Sequence, residues 1–154
     1  MAGEDGKKRR LPVLQQAPEG GETPPEERPA SHWAVAAGII TLLTWLLCAG
    51  TANAVLQRTG PHAAAVLVSA NVGALFVAAA AAGLATGRFG LKAMGRHAIV
   101  GALVAAGFGW AMSFSSGQGG ASLPFWAAAL TLLAVISASG AAVGYRLGRK
   151  LRRA

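Results

Sequence analysis

The chain has 154 residues, 53% of them hydrophobic and only 13% charged, with a formal net charge of +8. One domain is the ordinary expectation at this length, but a soluble one would mix both signs of charge over its surface. Here all six acids (Glu4, Asp5, Glu19, Glu22, Glu26, Glu27) lie in the first 27 residues, and the chain beyond Pro29 nets +9 with no carboxylate side chain.

Residues 1–31 read as a tail. They hold five of the seven prolines, no aromatic residue and a slight excess of acid over base. Such a segment buries too little apolar surface to offset its ordering entropy, so it is expected to be disordered. No apolar region follows the basic cluster Lys7 to Arg10 within the tail, so a cleaved secretory signal is not expected; the first apolar run instead acts as an anchor.

Four apolar runs follow, at about 33–57, 62–86, 97–117 and 123–145, each 21 to 25 residues long and free of Lys, Arg, Asp and Glu. A helix crosses a hydrocarbon core of ~30 Å in about 20 residues, so all four are long enough. Transmembrane strands would alternate apolar and polar residues, whereas Ala78 to Ala82 is an unbroken run of alanine, a helix former. In lipid every backbone polar group must be satisfied within the segment or in a closed barrel, and continuous runs satisfy it as helices. The expected fold is therefore an all-α membrane protein: a transmembrane domain over 32–146, its four helices in an up-down-up-down bundle, followed by a basic tail over 147–154.

The connections carry the topology. Lys7, Lys8, Arg9, Arg10 and Arg28 precede the first helix, Arg88, Lys92 and Arg96 lie between the second and third, and Arg146, Arg149, Lys150, Arg152 and Arg153 follow the fourth. The opposite side has Arg58 alone, so the division is thirteen to one. Cytoplasmic flanks accumulate Lys and Arg, which puts both termini and the 88–96 connection in the cytoplasm. Trp33, Tyr145 and Trp126 sit at span ends, where such rings settle at headgroup depth. Trp45 is near mid-span and is expected to pack between helices. His32 precedes Trp45 by thirteen residues, as His97 precedes Trp110, a hint that the second helix pair repeats the first in the same orientation. The Ala, Gly and Arg bias is that of a GC-rich bacterial genome, which points to an inner membrane.

Chemistry has few handles. Intramembrane ionisable residues mark coupled transport, and these spans hold none. Cys48 stands alone in an apolar run with no neighbouring cation to activate it, so it reads as an inert thiol. The histidines His32, His62 and His97 lie at helix ends without metal-ligand spacing. Phosphate-binding loops, nucleophile elbows and paired carboxylates are missing, so neither catalysis nor a cofactor or metal is expected. The cations flank apolar runs instead of sharing a solvated face with aromatic residues, so nucleic acid is not the expected partner.

Four sets of residues remain. The intramembrane amides Asn53 and Asn71 could contact a solute or bond between helices. Gly83 and Gly87 in the second span, and Gly140, Gly144 and Gly148 along the fourth, recur every fourth residue, as packing or oligomer faces do. Gly101, Ala105, Gly109 and Ser113 form a similar stripe on the third. Arg149, Lys150, Arg152 and Arg153 are expected to contact anionic lipid headgroups. Two functional readings follow: a non-enzymatic assembly or accessory subunit that binds other membrane proteins or itself, or an oligomeric uncoupled transporter or channel for a small or lipid-linked solute.

Overall fold

A computed structural model describes residues 29–56, 63–115 and 122–154. The N-terminal segment 1–28, with its expected disorder, and the 57–62 and 116–121 connections, with Arg58 and His62, lie outside the described residues. Four helices account for nearly everything else: α1 (Ser31–Leu56), α2 (Ala63–Phe89), α3 (Gly95–Ser115) and α4 (Leu123–Arg153). Each is long and apolar enough to cross a membrane.

The boundaries follow from local chemistry. The first turn of α1 opens on Pro29, whose carbonyl accepts the His32 N–H at 3.0 Å. Gly90 stops α2: its N–H bonds to Thr86 O at 3.0 Å, and a Cβ there would lie 2.6 Å from that same oxygen. α3 is capped reciprocally, Met94 N–H donating to His97 Nδ1 and His97 N–H to Met94 O. Ser122, extended at φ −67° and ψ 153°, precedes α4, and Pro124 falls in its first turn, where a missing N–H costs nothing.

Two boundaries differ from the hydropathy reading. Arg88 and Arg96 belong to helix ends, so only Lys92 lies in the connection proper, residues 90–94. More consequentially, the expected basic tail is not separate, because α4 runs unbroken for 31 residues to Arg153. No proline interrupts it, Gly148 stays packed against α2, and the cations of its last turn complement the negative end of the helix dipole. At 1.5 Å per residue α4 is ~46 Å long, so its last turns stand clear of a ~30 Å core.

The interior is made of small residues. Ala37, Ala78, Ala79, Ala82, Ala98, Ala102 and Ala141 are fully buried, and Leu75 is the largest side chain among the fully buried ones. The large hydrophobics point outward: Leu47 is 70% exposed, Val104 66% and Leu123 75%. Water would not tolerate such a surface, so these faces belong against lipid.

The helices sit at the corners of a square in the order α1, α2, α4, α3. Sequential partners touch in α1–α2 and α3–α4, while α2 and α3 meet only lightly across one diagonal and α1 and α4 not at all among the described residues. The other two sides are parallel pairs, α1–α3 and α2–α4, and α2–α4 is the most extensive contact in the molecule. Chain adjacency alone would have paired α2 with α3. Backbone approach at glycine decides otherwise, since in lipid packing outweighs any hydrophobic incentive between helices.

Candidate functional site

The glycines of the two stripes meet each other's helices. A Cβ on Gly83 would strike Ala141 O, and one on Gly87 would strike Tyr145 O. From the other side, a Cβ on Gly140 would come 2.6 Å from Phe76 O, and Gly144 lies directly against the backbone of Ala80. Gly148 continues the seam against Leu84 and Arg88. The stripes on α2 and α4 are thus used within one chain. The α3 stripe is used likewise: Gly101 lies against Ala34 and Gly38 of α1, and the ring of Trp45 covers Gly109.

The polar groups of the interior turn inward on their own helices. Thr41 donates to Ala37 O at 2.8 Å, Thr86 to Ala82 O at 2.9 Å and Ser137 to Ala134 O at 3.1 Å. Asn71 does the same, its Nδ2 bonding Leu67 O of its own helix at 2.9 Å. Its backbone carbonyl accepts the Trp45 Nε1–H at 3.2 Å, which ties α1 to α2. Asn53 is half-buried in the last turn of α1. Cys48 is free and half-buried.

At the far end of α3 and α4, Trp110, Phe114, Phe125 and Trp126 form an aromatic cluster with centroid distances of 5.4 to 6.2 Å. Trp110 Nε1–H bonds to Trp126 O at 2.9 Å. Trp45 and Trp110 therefore both donate to a carbonyl of the following helix, as the two-hairpin repeat would have it, though at different depths.

Among the described residues, charge concentrates at the opposite end, beside the 90–94 connection. Arg146, Arg149, Lys150 and Arg153 project from α4 toward the start of α3, where Gly95 and Arg96 face them across a cleft of about 540 Å³. Ile99 and Ala142 form its apolar floor, and Tyr145 its wall. The ring of Tyr145 lies 3.1 Å from where a Gly95 Cβ would stand, and its hydroxyl donates to Ala93 O at 2.9 Å. Arg152 points elsewhere, Nη1 donating to Gly90 O at 3.3 Å. Of the four cations expected to meet lipid headgroups, the cleft gathers Arg149, Lys150 and Arg153, leaves out Arg152, and adds Arg96 and Arg146. The signal was present in the sequence: 146, 149, 150 and 153 have helical spacing, hidden once the helix is ended at the fall in hydropathy.

The chain matches no protein-family model, no curated protein and no solved structure.

Proposed function

We propose that this four-helix membrane protein is a non-enzymatic assembly or accessory subunit of a bacterial inner membrane, docking on other membrane proteins or on further copies of itself. The observation that carries this reading is the closed interior. Thr41, Thr86, Ser137 and Asn71, four of the groups that could line a solute path, are bonded to their own helices. The transporter reading needs such groups turned toward a shared cavity, so it is the weaker of the two.

With the α2–α4 seam closed inside the chain, α1 and α3 offer the surface for partners. Two apolar grooves of about 330 and 320 Å³ run along their outer junction, the first beside Gly38 and Gly101, the second beside Trp45 and Gly109. The excess of Lys and Arg supports an orientation with both termini in the cytoplasm.

The test is the mass of the complex extracted in mild detergent, with cysteine cross-linking from Ile39→Cys and Val104→Cys in a Cys48→Ala background. The expected result is a mass above one chain and a specific adduct at either position. A lone monomer that carries solutes across proteoliposomes would sink the reading.

A further inference from the structure

α4 keeps its helical form beyond its apolar run, and this sets Arg146, Arg149, Lys150 and Arg153 in one stripe, spaced by three and four residues. Arg96, in the first turn of α3, faces them across the cleft. All five are exposed. No Asp or Glu occurs among the described residues, so no side-chain carboxylate there balances them. Cations held this close repel one another unless an anion joins them. The start of α3 adds to the attraction, since Gly95 and Arg96 of its first turn, at the positive end of the helix dipole, line the same space.

The cleft is also built in advance. Tyr145 fixes the start of α3 through Gly95 and Ala93, and Arg152 pins the connection through Gly90. Its volume of about 540 Å³ is in the range of ligand pockets and exceeds what a bare phosphate needs. Its floor, Ile99 and Ala142, is apolar and belongs to the membrane-spanning part of both helices.

We propose that this cleft binds the phosphoryl headgroup of an anionic glycerophospholipid. The guanidinium groups of Arg96, Arg146 and Arg149 grip phosphate oxygens, for which their planar forks are suited. The glycerol and upper acyl carbons rest on Ile99 and Ala142. A headgroup supplies both the charge that the rim requires and the apolar continuation that the floor offers; a free anion supplies only the first. The site does not depend on whether the bundle docks on other proteins.

The experiment is native mass spectrometry of the full chain in detergent with equimolar phosphatidylglycerol and phosphatidylcholine. One phosphatidylglycerol should be retained per chain in preference to phosphatidylcholine. Arg96→Gln and Arg149→Gln should each weaken that retention about five-fold, while Arg96→Lys, which keeps the charge but loses the planar fork, should recover only part of it. Arg88→Gln removes a cation at the same end but outside the cleft, and should change retention less than two-fold. Equal loss with Arg88→Gln, or equal retention of phosphatidylcholine, would reduce the site to diffuse attraction and overturn it. Displacement of the lipid by micromolar glycerol phosphate would assign the cleft to a soluble phosphate instead. A gain above five-fold on replacing Glu19, Glu22, Glu26 and Glu27 by Gln would assign it to the chain's own N-terminal acids. Either result defeats the lipid proposal.

Discussion

The indole of Trp45 occupies the space where a side chain at Gly109 would begin, and its Nε1–H reaches Asn71 O at 3.2 Å. One residue of α1 thereby joins α2 and α3, two helices that otherwise touch only lightly. A tryptophan at mid-span has no headgroup to sit in; it persists because a glycine leaves it room.

Gly109→Ala should therefore destabilise the bundle by roughly 1–3 kcal/mol, as overpacking does. Trp45→Phe, which keeps a ring but removes the donor, should cost about 1 kcal/mol. Thermal unfolding in detergent checks both, and Trp45→Leu combined with Gly109→Ala should recover part of the loss. A Gly109→Ala protein as stable as wild type would mean that the ring does not hold this position.

The α2–α4 seam makes a sharper contrast. At Gly144 a Cβ would meet Ala80 C at 2.7 Å and Cα at 2.8 Å, backbone atoms that cannot swing aside. Gly140→Leu with Gly144→Leu should abolish the folded chain, whereas Gly50, Gly73 and Gly107 have nothing within 4 Å of an added Cβ. Alanine at those three should be neutral or stabilising by about 0.5–1 kcal/mol each. The measure is the yield of monodisperse protein and its unfolding midpoint. Loss of oligomer with the monomer intact would instead place the seam between chains.

The four spans could be read from charge-free apolar runs, because lipid imposes both their length and their helicity. Glycine spacing on α2 and α4 likewise announced close packing. What could not be read was which stripe meets which. Gly83 against Ala141 and Gly101 against Gly38 are relations of register between distant segments, and nothing local to either residue encodes them. The same limit hid the basic cleft: Arg96 is some fifty residues from Arg146, and only the α3–α4 contact makes them neighbours. Asn71 was visible as a polar group in a span, but not its partner, since an amide there can bond its own helix, as its Nδ2 does to Leu67 O, as readily as another.

Tyr145→Phe removes the hydroxyl that bonds Ala93 O and should cost roughly 0.5–1.5 kcal/mol. The effect should be local. Amide hydrogen exchange across residues 90–96 should quicken, while the middle of α2 keeps its protection. Unchanged exchange would separate Tyr145 from the ordering of the connection.

Orientation is checked by labelling. In a Cys48→Ala background, Gly119→Cys should react with an impermeant maleimide on intact cells and Lys92→Cys should not. The reverse pattern would overturn a cytoplasmic location for the termini.

The small-residue interior also decides where this fold can change. In a water-soluble bundle the large buried side chains constrain one another, and the surface drifts. Here Val35, Leu47, Val104 and Leu132 need only be apolar, because fluid acyl chains adapt to whatever shape they meet. Ala79, Gly83, Ala141 and Gly144 have no such latitude, since one added methylene forces two backbones apart. Mutational tolerance at the packed positions of α2 and α4 should therefore run opposite to residue size, with the buried positions of least side-chain volume the least replaceable.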